Sequence, residues 1–193
     1  MVKNRPTIAL FGGSFDPPHR GHQAIVENLS SFEDIDRVIV MPAFLNPFKQ
    51  STLASAKQRL GWCNRVFAGD KVAVSDFEVS QERAVYTIET LKALSETYDI
   101  KYLVIGSDNI AQIQQWKSFD EIDRQITWVV FSRGSTPVNC HALSACKALT
   151  LEMPISSTEI RIGLHPEQLD PKIRTEVQQL LQQKETHDNQ RES

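Results

Sequence analysis

Thr7-Ile8-Ala9-Leu10-Phe11 runs directly into Gly12-Gly13-Ser14-Phe15-Asp16-Pro17-Pro18-His19-Arg20-Gly21-His22. An apolar run, paired glycines and then an amphipathic stretch from His22 to Leu29 read as strand, turn and helix. The same alternation continues. Arg37–Met41, Lys71–Val74, Lys101–Ile105, Ile126–Phe131 and Ala148–Met153 read as further strands. A long loop follows Pro42 to about Ser51. Ala54–Phe67 reads as a helix with Leu60, Cys63, Val66 and Phe67 on its apolar stripe, and Val85, Ile88, Leu91 and Leu94 repeat at helical spacing. Short strands that are apolar almost throughout are strands covered on both faces. Helices between them return the chain to a parallel neighbour. The pattern predicts the α/β class: a doubly wound, mostly parallel sheet with helices on both faces. Ligands of such sheets bind beyond the carboxyl ends of the strands, so the segments just after the strands are the candidates for function.

The chain reads as one domain, 1–193, without an internal repeat or a linker long enough to separate two units. Its end differs from the rest. A helical segment covers about 156–184; within it Asp170 caps a helix with Pro171 in the first turn, and Ile173, Val177, Leu180 and Leu181 form one stripe. The polar tail 185–193 is expected to fray.

Apolar residues make up 40% and charged residues 23% of the 193, which excludes general disorder. The formal charge of -3 argues against a nucleic-acid-binding surface but leaves room for a local anion site. No apolar run approaches the roughly 20 residues that cross a bilayer, and Met1–Pro6 lacks a signal-type apolar region. Cys63, Cys140 and Cys146 are too few and too scattered for a disulfide framework, so a reducing, cytoplasmic setting is expected.

The segment after the first strand is the most specific. Gly12 and Gly13 allow backbone conformations closed to other residues and leave room for a ligand, while Pro17 and Pro18 stiffen the turn. His19 and His22, three apart, share a face if a helix begins there, with Gly21 leaving that face open. A helix start offers amide hydrogens and a positive dipole end to a phosphate, and imidazoles add donors. A metal pair is a second reading, without a third ligand nearby. The stretch is neither a Walker A loop nor the GxGxxG dinucleotide fingerprint.

Four other segments carry two readings each. Ser156 and Glu159 have capping-box spacing, and Ser157, Thr158 and Arg161 either hold phosphate oxygens or decorate a capped helix. Gly106-Ser107-Asp108-Asn109 is a ribose-binding turn or a plain turn, and Trp116 beyond it stacks on a flat ring or packs in the core. Lys49, in Asn46-Pro47-Phe48-Lys49, closes over a polyphosphate or is solvated. Tyr86-Thr87-Ile88-Glu89-Thr90-Leu91 is a ligand segment or simply a helix start. Cys140-His141 with Cys146 has only three zinc donors at an unsuitable spacing.

Taken together, these residues resemble a family. Gly12–His22 is similar to the first motif of the nucleotidylyltransferases that carry an HxGH pair, and Ile155–Arg161 to their second. The doubled glycine, the Phe-Asp-Pro-Pro-His run, Tyr86–Leu91, Gly106–Asp108, Trp116 and the closing helix resemble the bacterial nicotinate-nucleotide adenylyltransferases along nearly the whole chain. Two departures stand out: Phe48 replaces the family histidine of Pro-His-Lys, and Ser132-Arg133-Gly134-Ser135 replaces Arg-Pro-Gly.

The resemblance implies a Rossmann-like fold and transfer of AMP from ATP to nicotinate mononucleotide, giving pyrophosphate and the deamido dinucleotide in NAD biosynthesis. It implies His19, His22, Lys49 and Arg161 as catalytic, and Gly12, Gly13, Ser14, Phe15, Gly21, Gly106, Asp108, Ser157 and Thr158 as ATP-binding. Tyr86, Thr87 and Trp116 would hold nicotinate mononucleotide. Mg²⁺ would arrive on ATP, with no resident metal site. ATP and nicotinate mononucleotide are then the partners, with no nucleic acid and no membrane, and a homo-oligomer is compatible with the reading. The alternatives are a nucleotide sensor without turnover, a sister enzyme such as the pantetheine-phosphate transferase, whose Thr-x-Gly-His is absent, and a redox enzyme, whose GxGxxG is absent.

Overall fold

The computed structural model describes residues 5–45, 52–133, 138–151 and 155–189. Six strands form one sheet in the order β3-β2-β1-β4-β5-β6, and every pairing is parallel. In chain order they are β1 (Thr7–Gly13), β2 (Arg37–Pro42), β3 (Val72–Val74), β4 (Asp99–Gly106), β5 (Thr127–Arg133) and β6 (Cys146–Leu151). The chain moves outward from β1 to β3, then crosses back to place β4 on the other side of β1. That reversal opens a crevice between the carboxyl ends of β1 and β4.

Alternation along the strands builds two cores. Ala9, Phe11, Val38, Val40 and Val104 pack beneath α1 (Arg20–Ser30), α2 (Ala56–Val66), α6 (Ser157–Arg161) and α7 (Pro171–Asn189), which supply Leu29, Trp62, Ile160 and Ile173. Ile8, Leu10, Ile39, Leu103 and Trp128 face the other way. They meet Ile88 and Leu91 of α4 (Thr87–Leu94), Ile122 of α5 (Phe119–Asp123) and Ile113 of the 3-10 helix Ser107–Gln115. A further short helix, α3 (Phe77–Ser80), lies between β3 and α4. The doubly wound class is as the alternation predicts, and the sheet is wholly parallel rather than mostly so.

Three expectations are corrected. Leu60 was placed on the apolar stripe of α2, but the structure buries Arg59 to 1% exposure and leaves Leu60 half-buried. A helix has one inward direction per turn, and here four carbonyls on that side reward a guanidinium. The closing helix continues to Asn189 instead of ending near 184; a polar run can stay helical through its own backbone bonds, and Thr186 Oγ1 adds a side-chain bond to the Gln182 carbonyl at 2.9 Å. Cys140 and Cys146, read as too scattered for a disulfide framework, are disulfide-bonded across a Cα separation of 6.2 Å. The turn that follows Cys140 brings the two together before β6 begins, which spacing alone does not reveal. Lys49 with Asn46, Pro47 and Phe48, and Gly134 with Ser135, lie outside the described residues.

Candidate active site

The glycine-rich turn is the continuation of β1. Gly12 and Gly13 belong to the strand, paired with Met41 and Pro42 of β2, and neither takes a positive φ. That conformation falls instead on Phe15, with φ of 47°. The value of Gly12 is space: a Cβ there would meet nothing within 4 Å, so a ligand can lie against the chain. Phe15 is buried, its ring centroid 5.0 Å from that of His22, and serves as the floor of the turn rather than its lining.

His19 is the N-cap of α1, and its Nδ1 accepts from the Gly21 amide at 3.1 Å. His22, three residues on, returns the bond: its Nδ1 accepts from the His19 amide at 3.3 Å. This is a capping box built from two imidazoles, their ring centroids 3.8 Å apart. A neutral imidazole that accepts at Nδ1 carries its proton on Nε2. These backbone hydrogen bonds place the proton of each neutral ring on Nε2. Gly21 sits in close packing, since a Cβ there would lie 3.0 Å from His19 Cε1 and 3.2 Å from Ile155 Cγ2 and would press on both side chains.

The second motif docks on the first. Arg161 Nη1 donates to the Asp16 carbonyl at 2.8 Å, and Ser157 Oγ donates to the Pro17 carbonyl at 3.0 Å. Arg161 Nη2 donates to Thr158 Oγ1 at 2.9 Å. The capping box of Ser156 and Glu159 forms, with Glu159 Oε2 accepting from the Ser156 amide at 2.7 Å. The two distant stretches therefore converge.

A cavity of about 550 Å³ occupies the crevice between β1 and β4. Gly12, Gly13, Ser14, His19, Gly21 and His22 line one side. Tyr86, Thr87, Gly106, Asp108 and Trp116 also line it, from the segments around α4 and after β4. Phe15, Ser157, Thr158 and Arg161 are not among the residues of its wall; Ser157 and Arg161 brace the turn through the Pro17 and Asp16 carbonyls, and Thr158 Oγ1 accepts from Arg161. Trp116 is half-buried: its ring meets core Trp128 edge-on, centroids 6.0 Å apart, and the residue also lines the cavity. Asn109 Nδ2 holds the Asp108 carboxylate at 3.3 Å. No group of three or more His, Cys, Asp or Glu among the described residues is placed to hold a metal ion.

Three residues of this region escaped the sequence reading. Arg59 donates to the carbonyls of Ser14 at 2.6 Å and of Ala43 and Phe44 at 2.8 Å, clamping the first turn to the chain after β2. Asp16 accepts from the amides of Leu53 at 2.7 Å and Ala54 at 3.1 Å. Neither bond leaves a sequence signal, because every partner is a backbone group. Glu78 lines the cavity and accepts from Thr90 Oγ1 at 2.7 Å.

Burial pushes the Glu78 carboxyl up to about 7, against the lowering effect of the Thr90 hydrogen bond. The folded protein therefore holds this proton more tightly than the unfolded chain. The corresponding stability is fully present below the ordinary carboxyl value of 4.5 and is lost as pH rises to about 7. Its size is on the order of 3 kcal/mol. Urea unfolding at about pH 5 and about pH 7.5 should show that loss in the parent and a flatter profile in Glu78→Gln; equal slopes would refute the assignment.

Comparison with known proteins agrees with the geometry. The cytidylyltransferase-like family model matches residues 10–162. A Sulfurovum protein named "Probable nicotinate-nucleotide adenylyltransferase" is 43% identical over 94% of this chain and 97% of its own. A Sulfurimonas denitrificans protein of the same name is 46% identical over 89% of this chain and 92% of its own. The structure of Plasmodium falciparum nicotinic acid mononucleotide adenylyltransferase complexed with NaAD superposes with a TM-score of 0.71 at 21% identity, over 89% of each chain, which supports the fold. With its paired histidines at the β1–β4 crevice and relatives of this identity along nearly its whole length, the chain belongs to the cytidylyltransferase-like family and, within it, to the nicotinate-nucleotide adenylyltransferases.

Proposed function

We propose that the protein transfers AMP from ATP to nicotinate mononucleotide, releasing pyrophosphate and forming the deamido dinucleotide. The observation that carries this reading is the imidazole pair with both Nδ1 atoms committed to backbone amides, in one cavity with Tyr86, Thr87 and Trp116. An oxygen of the mononucleotide phosphate attacks the α-phosphorus of ATP, and the bond to the β-phosphate oxygen breaks. The nucleophile is already an anion, so no strong base is needed. The site's work is alignment and relief of repulsion between phosphates.

Each residue then has a task. His22 and His19 donate from Nε2 to the phosphates, His22 chiefly to the α-phosphate, where charge builds up. The start of α1 adds its positive end. Gly12 and Gly13 let the nucleotide lie close to β1, and Asp108 holds a ribose. Trp116 and the chain at Tyr86 and Thr87 hold the pyridine ring. Arg161, with Ser157 and Thr158, holds the departing pyrophosphate if it releases the Asp16 carbonyl, and otherwise supports the turn; Lys49 closes over the same group. Mg²⁺ enters on ATP as part of the substrate. Among the described residues no helix is long and apolar enough to cross a membrane, and a cytoplasmic setting suits the substrates.

Purified protein should release pyrophosphate from ATP only when a pyridine mononucleotide is added, as a coupled phosphate assay would record. No release with either the acid or the amide form would end the reading. Tight ATP binding without release would favour a sensor instead.

A further inference from the structure

Lys117 is the single lysine or arginine among the described residues that line the cavity. Two carboxyl side chains, Glu78 and Asp108, line it as well. A ring substituent carrying negative charge meets repulsion there unless a cation offsets it. Lys117 directly follows Trp116, yet its Nζ lies 4.3 Å from the centroid of the Tyr86 ring. Its side chain thus spans from the end of the 3-10 helix to the residue that precedes α4, the two segments that carry Trp116 and Thr87. Tyr86 is 45% exposed, so this contact sits at the rim, where a substrate group can replace it.

The ammonium attracts the Glu89 carboxylate through space without forming a salt bridge. The nearby carboxylate of Glu89 is already held by both guanidinium nitrogens of Arg83, at 3.0 and 3.3 Å, and by the Tyr86 amide at 2.9 Å. Among the described residues no carboxylate lies within salt-bridge distance of Lys117. The start of α4 adds its positive dipole end to the same spot.

We infer that Lys117 is a specificity-determining residue, whose ammonium leaves the Tyr86 ring to pair with the carboxylate on the pyridine ring and so favours the acid mononucleotide over the amide. The inference deepens the adenylyl-transfer reading and rests on it. An ammonium–carboxylate hydrogen bond is charge-assisted, while a neutral carboxamide gains little from the same partner. The exposed cation also rests over an aromatic face.

The test compares kcat/KM for nicotinate and nicotinamide mononucleotides in the parent, Lys117→Met and Lys117→Arg, by pyrophosphate release. In Lys117→Met the constant for the acid should fall about 10-fold, through KM with kcat nearly unchanged, as for loss of a binding contact made equally in ground and transition states. The constant for the amide should change by less than about twofold, and Lys117→Arg should restore the acid preference. A parallel fall for both substrates, or an unchanged ratio, overturns the assignment while leaving adenylyl transfer intact. Release with neither substrate in the parent overturns the underlying reading instead.

Discussion

Replacing His22 by alanine should lower turnover roughly 100-fold or more, as removal of a donor aimed at developing charge does elsewhere, while the fold survives. The structure separates the two effects. The capping bond that His22 makes runs from the His19 amide to its Nδ1 at 3.3 Å, and its ring packs against those of Phe15 and His19. Loss of such a cap costs about 1 kcal/mol, small against the roughly 5–15 kcal/mol that holds a domain together. His22 itself lines the cavity. Steady-state kcat for pyrophosphate release, with the thermal midpoint measured on the same preparation, reads both quantities. A variant with near-normal turnover would remove His22 from the chemistry. A variant that loses its fold would show that the imidazole capping box, rather than charge stabilisation, is what the residue supplies.

The second large effect falls on a residue that need not touch substrate. Arg59→Met should destabilise the protein by roughly 3–5 kcal/mol, the range for breaking a buried charged network by removing one partner. Arg59 is 1% exposed and donates to four carbonyls, those of Ser14, Ala43, Phe44 and Ala54. Methionine fills the volume but leaves these acceptors buried without a donor, and each costs about 1–3 kcal/mol if no water reaches it. The thermal midpoint should fall by roughly 10 °C. Because Ser14 and Ala43 border the cavity, pyrophosphate release should weaken even where the variant remains folded. A loss below about 1 kcal/mol would show that the clamp is redundant with the amide bonds to Asp16.

Lys117 and Glu78 extend the same logic to the other side of the cavity. The two side chains lie on its wall with opposite chemistry, one a cation at the rim and one a half-buried carboxyl bonded to Thr90. Their tests are independent. Glu78→Gln is read as a stability slope against pH, Lys117→Met as a ratio of two specificity constants.

Much of the fold was legible in order and type because it depends on local rules. Thr7–Phe11, Arg37–Met41 and Lys101–Ile105 are apolar almost throughout, and only strands covered on both faces tolerate that. The Ser156–Glu159 capping box was legible because both partners lie within one turn, and it forms as the spacing predicts. Leu60 was misjudged because periodicity ranks residues by hydropathy, and a guanidinium surrounded by carbonyls can occupy an inward position that apolar patterning assigns to a neighbour.

What sequence by itself determined was the alternation of strand and helix, the position of the imidazole pair at the end of β1, and the choice of Gly106, Asp108, Tyr86, Thr87 and Trp116 as candidates, all of which line the cavity. These are consequences of neighbours a few residues apart. Tertiary structure alone decided that Arg161 and Ser157 grip the carbonyls of Asp16 and Pro17, that Arg59 clamps the turn, and that Lys117 reaches the Tyr86 ring. These contacts join residues far apart in the chain or end on backbone atoms, which every residue possesses. A carbonyl carries no mark in the sequence of which side chain will find it, and only the folded sheet brings the two within reach.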